Sequence, residues 1–593
     1  MKHRRKVLAV VTAAMALALV AACSSSKGST SGGGGGGGGT TSSATPAFNA
    51  ALNAVYNPSD HKGGTITMAA TDFWDSVDPG DTYYAMSWNL LRLYGRSLVM
   101  FDPVPGPDGN KLVPDLATSL GTPSDGGKTW TYTIRQGVKF SNGQEITAAD
   151  VKYAVLRSLD KTVLKDGPTY FNDWLNLPAG YQGPYKDPNV NTDQAISVPD
   201  KYTIVFHLKQ ALGEFDYFAM LPATVPVPQS ADKGADYQNS VVSSGPYMFA
   251  NYQAGKSFDL VRNPYWNASN DPNRKALPDK YHIELGIDAD DLDNQLINGT
   301  IQVDIAGTGV QTDTLARVLN DPTLKAQADN PTAARLWYVS IIPTVKPLDN
   351  INCREAIEYA ADKTGYQTAY GGPLAGGDVA TSLMPPILPG YQQTNVWPDG
   401  SDYTGDDTKA KAALTACGQP NGFSINMAYR SDRPKEKATA ESLQQSLQKV
   451  GIKLTLKGYP TSDYFTSDVG RPQFDVDNGI GRATNGWGAD WNDGFGFLQQ
   501  IVDGRTIRPD GGSSNLSVNV PSINTMIDQA MAETNADTRN TDWANVDKAV
   551  MQQAVILPGI WAKAVLLRGK GLTNVFINQA FGMYDYLSLG VAG

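Results

Sequence analysis

Residues 114–160 read PDLATSLGTPSDGGKTWTYTIRQGVKFSNGQEITAADVKYAVLRSLD, and the fold is decided here. Ser124-Asp125-Gly126-Gly127 is a turn cluster. It opens onto residues 129–134, where Trp130, Tyr132 and Ile134 alternate with Thr129, Thr131 and Thr133. A period of two marks a half-buried strand. Val138-Lys139-Phe140 reads as a short partner strand and Ser141-Asn142-Gly143 as a second turn. Thr147 and Asp150 have capping-box spacing, in which each side chain satisfies a free amide at the start of a helix. Val151, Ala154, Val155 and Leu159 then give that helix one apolar face, which must pack on something. The residues alone predict a small α+β unit.

Their order says more. Leu116-Ala117, Asp125-Gly126, Trp130, Tyr132, Ile134-Arg135, Gly137-Val138-Lys139-Phe140, Asn142-Gly143, Thr147-Ala148 and Asp150-Val151 follow one another at spacings found elsewhere. The pattern closely resembles the signature of the family 5 extracellular solute-binding proteins, the oligopeptide, dipeptide and nickel receptors of ABC importers. The resemblance implies an α/β fold of the periplasmic-binding-protein-like type II class, cluster C: two hinged α/β lobes plus an extra domain. It also implies a monomeric receptor with no cofactor, not an enzyme, which closes on a solute and presents it to a membrane permease.

The N-terminus fits export. Lys2, Arg4, Arg5 and Lys6 precede the apolar residues 7–22, a run of signal-peptide length that is too short for an ordinary membrane span. Val20-Ala21-Ala22-Cys23 resembles the bacterial lipobox, which implies cleavage before Cys23, its acylation, and anchoring to the membrane. A secreted protein cut after an A-x-A-like site is the alternative. Residues 23–59 are rich in Gly, Ser, Thr and Ala, with unbroken glycine from Gly32 to Gly39, and read as a flexible tether. A Gly/Ser coil of about 35 residues spans roughly 30–35 Å. Ser24 stands where aspartate commonly marks inner-membrane retention in two-membrane bacteria. The expected location is therefore the outer face of the cytoplasmic membrane of a single-membrane bacterium.

The formal charge of the 593-residue chain is −10, and loss of the four basic residues of the leader takes it to about −14. So acidic a surface argues against nucleic acid as a partner. Beyond Cys23 only Cys353 and Cys417 remain. A disulfide between them is left open, because sequence does not supply the Cα separation it needs.

The resemblance divides the body into a discontinuous lobe I (60–104, 240–335 and 556–593), an extra domain II (105–239) and lobe III (336–555). Gly64 to Ala69 opens lobe I as a strand, and residues 202–208 alternate as another strand in domain II. Ser244-Gly245-Pro246-Tyr247 and Asn263-Pro264 resemble the motifs by which the family chain re-enters lobe I. Lobe III begins near Arg354-Glu355-Ala356. Residues 438–450 form an amphipathic helix through Leu443, Leu447 and Val450 that turns into the strand beginning at Gly451-Ile452.

Gly486-Trp487-Gly488-Ala489-Asp490-Trp491 is the leading ligand-site candidate. In peptide-binding members of the family, an aspartate three residues after that tryptophan pairs with the ligand's α-ammonium, and Asp490 stands in that place. A carboxylate desolvated by lobe closure gains most from a cation set against it. From spacing alone, Asp490 reads first as a turn former in a Gly-rich loop, and it is the resemblance that gives it the ligand role. Trp487 and Trp491 offer flat apolar faces, although Trp491 is also readable as core. Arg482, Arg430 and Arg433 are candidate anchors for a ligand carboxylate, and each is also readable as an ordinary arginine. Trp74, Tyr83 and Tyr84 follow the first strand, where the resemblance implies that lobe I faces the cleft, and they are readable equally as ligand contacts or as core. The expected ligand is a short peptide because of Asp490. An oligosaccharide comes second, since 27 Tyr and 11 Trp could supply stacking surfaces. Nickel or a nickel chelate comes third.

Several other patterns carry nothing. Gly126-Gly127-Lys128-Thr129 resembles the end of a P-loop but leads into a strand. Asp288, Asp290, Asp291 and Asp293 lack the glycine of a calcium loop and suit a helix start. There is no His/Cys metal pattern and no G-x-S-x-G. A secreted hydrolase using Asp490 and Asp493 is a rival reading, but two loop residues three apart do not establish a catalytic pair. A peptide-sensing receptor would share the whole fold and differ only in its partner.

Overall fold

The computed structural model describes residues 47–71, 76–398, 400, 402–431 and 433–593. The proposed leader, Cys23, the glycine run and Trp74 lie outside the described residues. The Thr129–Thr133 strand buries Trp130 and Tyr132 and pairs antiparallel with both Thr122–Ser124 and Thr203–His207. With Ile196–Asp200 they form a four-stranded sheet. The Ala148–Arg157 helix carries the capping box between Thr147 and Asp150, and Val151, Ala154 and Val155 are buried. Asp125-Gly126-Gly127 forms the turn between two strands, with Gly126 in the left-handed region at φ 61°. Val138 to Phe140 is reduced to a single bridge, Lys139 to Glu145, and is not the strand its sequence suggested. Gly137 and Gly143, both at positive φ, bracket the segment and turn the chain before a ladder can grow.

Lobe I is a five-stranded sheet in the order Val303–Asp304, Thr65–Ala70, Lys280–Leu285, Ser257–Arg262, Tyr247–Gln253. Its first three strands are parallel and the remainder antiparallel. Lobe III is a six-stranded sheet in the order Gly377–Val379, Ile556–Lys563, Thr332–Ile341, Ile480–Gly488, Ser424–Arg430, Lys453–Tyr459, of which the last three are parallel. The expected helix of residues 438–450 is Pro434–Gln448, connecting two of these parallel strands. The Asp288 cluster is a helix start: the Asp288 carboxylate accepts the amides of Asp290 and Asp291. Cys353 and Cys417 are joined, with Cα atoms 5.2 Å apart, linking the Ile351–Ala360 and Asp407–Ala416 helices.

Two boundaries need correction. Residues 47–59 are not tether. Ala51 is fully buried, its amide donates to Asp329 Oδ1, and Tyr56 bridges to Val575, so this segment packs on lobe I. Phe48, Ala51, Leu52 and Tyr56 supply apolar surface that the upstream Gly/Ser run lacks. The Ile556–Lys563 strand belongs to lobe III, paired on both edges, and the return to lobe I comes after it. The chain crosses between lobes I and III at Ala328–Asp329 and at Leu566–Leu567, and these crossings pair antiparallel with each other. Arg568 locks them: its guanidinium meets the Asp329 carboxylate at 2.5 Å and donates to the carbonyl of Ala47 at 2.8 Å.

Domain II is fixed to its neighbours by different forces. Against lobe I the fastening is ionic. Arg157, fully buried, donates to both oxygens of Asp78 at 2.7 and 2.8 Å and also meets Asp232 at 3.0 Å. Arg96 and Arg274 converge on Asp115. Against lobe III the fastening is aromatic: Tyr170, Tyr217 and Phe218 of domain II pack on Trp491 and Phe495 of lobe III.

Candidate functional site

The Ile480–Gly488 strand runs antiparallel to Thr332–Ile341, and the pairing explains the glycines around Trp487. Trp337 lies across Gly486 and Arg335 across Gly488. A Cβ on Gly486 would sit 2.2 Å from the Trp337 ring, and one on Gly488 would sit 3.0 Å from Arg335 Nη2. Only glycine at position 486 lets the Trp337 ring lie flat on the strand, whereas at Gly488 the flexible Arg335 head would have to give only slightly. The ladder continues one step further, Ala489 N–H donating to Ala334 O at 2.8 Å, and Asp490 N–H then donates to Gly496 O at 3.0 Å. The loop that carries Asp490 is thus pinned at both ends.

Asp490 is half-buried where all three parts of the chain meet. Tyr83, from the loop leading into the Ala85–Tyr94 helix of lobe I, donates to Asp490 Oδ2 at 2.9 Å. Tyr170, at the start of the Tyr170–Trp174 helix of domain II, donates to the same oxygen. Oδ1 is left without a partner among the described residues. Burial raises the Asp490 pKa to about 6, and the two phenol hydrogen bonds oppose that rise. Burial and the neighbouring carboxylate hold both phenols well above their usual range, so they remain donors. Tyr83 also stacks on Trp88, with ring centroids 6.0 Å apart.

Trp487 points to the opposite side of its strand from Arg335 and is half-buried against the large apolar cluster; its indole N–H is buried without an acceptor among the described residues. Trp491 is 1% exposed, stacked parallel on Tyr217 at 5.7 Å and packed on Tyr170 at 4.9 Å. It is core between domain II and lobe III rather than a ligand platform, because its ring is covered by other rings. Arg482 is likewise removed from the site. It is fully buried inside lobe III opposite Glu358 and Tyr366, and burial lowers its pKa to about 10. Arg430 is 6% exposed and donates to Glu436, whose carboxylate also accepts Thr484 Oγ1 at 2.9 Å. Arg433 is exposed.

Asp493 does not serve as a second acid beside Asp490. It is 4% exposed, caps the Gly494–Val502 helix through Gly496 N–H at 2.8 Å, and faces Glu214 of domain II. Burial and the Asp493 charge push Glu214 well above the carboxylate range, while Arg539 Nε meets it at 2.8 Å. Burial and mutual repulsion favour a proton between the two acids, and the pair is a second fastening between domain II and lobe III. Among the described residues no group of His, Cys, Asp or Glu could hold a metal ion, and no helix is long and apolar enough to cross a membrane.

Tyr170 was not foreseen from the sequence. It lies 320 residues from Asp490, in a stretch with no motif of its own, and only the packing of domain II brings it there.

Residues 111–508 match the description of the bacterial extracellular solute-binding proteins, family 5. The chain belongs to this family. A solved structure of clavulanic acid biosynthesis oligopeptide binding protein 2 superposes with a TM-score of 0.90 at 38% identity, covering 93% of this chain and 99% of that one. The probable D,D-dipeptide-binding periplasmic protein DdpA of Escherichia coli (strain K12) is 25% identical over 488 residues, 81% of this chain and 85% of its own. The ABC transporter-associated periplasmic binding protein DppA of Helicobacter pylori, solved with the peptide STSA, shares the fold with a TM-score of 0.67 at 19% identity, covering 90% and 99% of the two chains. The architecture is that of a type II periplasmic binding protein, and the proteins it resembles are binding proteins, not enzymes.

Proposed function

We propose that this family 5 protein captures a short peptide in the cleft between its lobes and delivers it to an ABC permease. The observation that carries the reading is the Asp490 carboxylate: one oxygen is held by phenols from two other parts of the chain, and the other is free to accept. A peptide's α-ammonium placed on Oδ1 would restore the ionised form, and the aspartate stands where peptide-binding relatives of the family carry theirs. Ammonium and closure then favour each other, because the charge is desolvated only when Tyr83 and Tyr170 have arrived from lobe I and domain II. This is a population shift, with ligand affinity spent on the closed state that the permease recognises. The sealing of Asp493 against Glu214 removes the second carboxylate that hydrolysis would need. Acylation of Cys23 would hold the receptor on the outer face of the membrane as a monomer.

Calorimetric titration of the ligand-stripped protein with di- to hexapeptides, N-acetylated versions of the same peptides, and cello- and xylo-oligosaccharides tests the reading. Peptide heat should vanish on N-acetylation and in Asp490→Ala. Sugar heat without peptide heat would move the function to carbohydrate uptake.

A further inference from the structure

The segment that leads into lobe I is bonded to the crossing between the lobes. Asn49 donates its backbone N–H to Ala328 O at 2.9 Å, and its side-chain Oδ1 accepts Asn330 N–H at 2.8 Å. Asn49 therefore grips both ends of residues 328–330, as a paired strand residue would, with its own side chain standing in for a carbonyl. The grip uses a left-handed backbone, φ 64°, which asparagine adopts more readily than most residues that carry a Cβ. Between those two bonds, Ala51 N–H donates to the Asp329 carboxylate at 3.0 Å. The Tyr56 ring lies 4.6 Å from the Arg568 guanidinium, the group that also meets Asp329 and Ala47 O.

The segment is anchored on both sides. Towards lobe I, Tyr56 exchanges backbone bonds with Val575 at 2.7 and 3.0 Å, and Ile577 N–H donates to Ala51 O at 2.7 Å. Towards lobe III, the contact passes through Asn330. Its Nδ2 donates to Leu374 O at 2.8 Å and to Ala564 O at 2.9 Å, the first in the Gly372–Ala375 helix and the second just after the Ile556–Lys563 strand. Asp329 and Asn330 are buried, so breaking the grip leaves polar groups unpaired away from water.

A hinge moves by changing backbone dihedrals at a few residues. Residues 328–330 form one of the two crossings, and Asn49 fixes the span across them. These bonds are made in the arrangement that also brings Tyr83 and Tyr170 onto Asp490. We propose that residues 47–56 are a strap across the hinge that favours the closed receptor, and that its release lets lobe III swing away from lobe I. Affinity then depends on a segment that touches no ligand. The strap acts on closure whatever the ligand is, so it stands apart from the peptide reading.

The experiment is calorimetry with trialanine, alongside solution X-ray scattering of the ligand-free protein. It uses the full chain as wild type, Asn49→Gly, Asn49→Asp and a deletion of residues 47–56. Asn49→Gly keeps the left-handed backbone and the bond to Ala328 and removes only the acceptor for Asn330. It should raise Kd about fivefold, the effect of one buried hydrogen bond on the balance between open and closed states. Asn49→Asp restores an acceptor that tolerates the same backbone and should stay within about twofold of wild type. The deletion should raise Kd further than Asn49→Gly does. A Kd within about twofold of wild type in both Asn49→Gly and the deletion would overturn the strap, even with a lowered thermal midpoint, because the segment would then be packing alone. No trialanine heat in wild type counts against the peptide reading, and scattering then decides the strap by itself. A larger radius of gyration in Asn49→Gly, reversed in Asn49→Asp, upholds the strap; an unchanged radius overturns it.

Discussion

Acidification should release a ligand held by its amine, and the size of the effect follows from Asp490. Its carboxyl titrates at about 6 because burial outweighs the two phenol hydrogen bonds. The ammonium needs the ionised form, so affinity is full above the midpoint and falls as the proton returns. At about pH 5 only about one-tenth of Asp490 is ionised, against nearly all of it at about pH 7.5. Kd should therefore rise about tenfold between those values and by about tenfold for each further unit of acid. The ligand-free protein responds in the opposite sense. A carboxyl whose folded pKa exceeds its unfolded value contributes stability that is complete below the unfolded value of 3.8 and lost as pH rises through about 6. For a half-buried group this amounts to no more than about 2 kcal/mol. Calorimetry of one tripeptide from about pH 4.5 to 8, in wild type and Asp490→Asn, checks both the slope and its source. A Kd that stays flat between about pH 5 and 7.5, or a slope that persists in Asp490→Asn, would refute the assignment of the ammonium to Asp490.

Three other outcomes are expected. Replacing both Cys353 and Cys417 by serine should lower unfolding free energy by about 4 kcal/mol on the loop-closure estimate for their separation of 64 residues, measured by denaturant titration. Trp491→Ala should cost about 3–5 kcal/mol and lower the thermal midpoint whether or not ligand is present, since the ring is core; a loss of affinity at unchanged stability would instead return Trp491 to the ligand. Glu214→Gln should be tolerated at neutral pH, because burial and the Asp493 charge favour the protonated acid there, whereas Glu214→Ala should destabilise the contact of domain II with lobe III, as read by thermal melts.

The local chemistry of the chain was legible wherever it depended on neighbours in sequence. The alternation of Trp130 and Tyr132, the Thr147–Asp150 cap and the amphipathic segment around Leu443 and Leu447 all specify their own elements, and the structure places them accordingly. Limits appeared where burial decides. Arg482 and Arg430 lie on the two neighbouring strands that lead towards the candidate site, yet a strand puts alternate residues on opposite faces. Which face meets Glu358 or Glu436 depends on helices packed from elsewhere in lobe III. Trp491 looked like a platform because its partners Tyr217 and Tyr170 are hundreds of residues upstream. Asp490 was placed through its resemblance to a motif. Tyr170 and Arg335 had no motif to mark them, and cross-strand register and domain docking bring them in.

The paired crossings at Ala328–Asp329 and Leu566–Leu567 have a mechanical consequence. A single connecting strand would let lobe III swing and swivel freely about lobe I. Two strands bonded side by side act as a flat leaf spring, compliant across its face and stiff against torsion and sideways shear. Arg568 and the carbonyl of Ala47 clamp the root of that spring. Opening and closing are thereby confined to nearly one degree of freedom, so the Asp490 carboxylate returns to the same two phenols on every cycle.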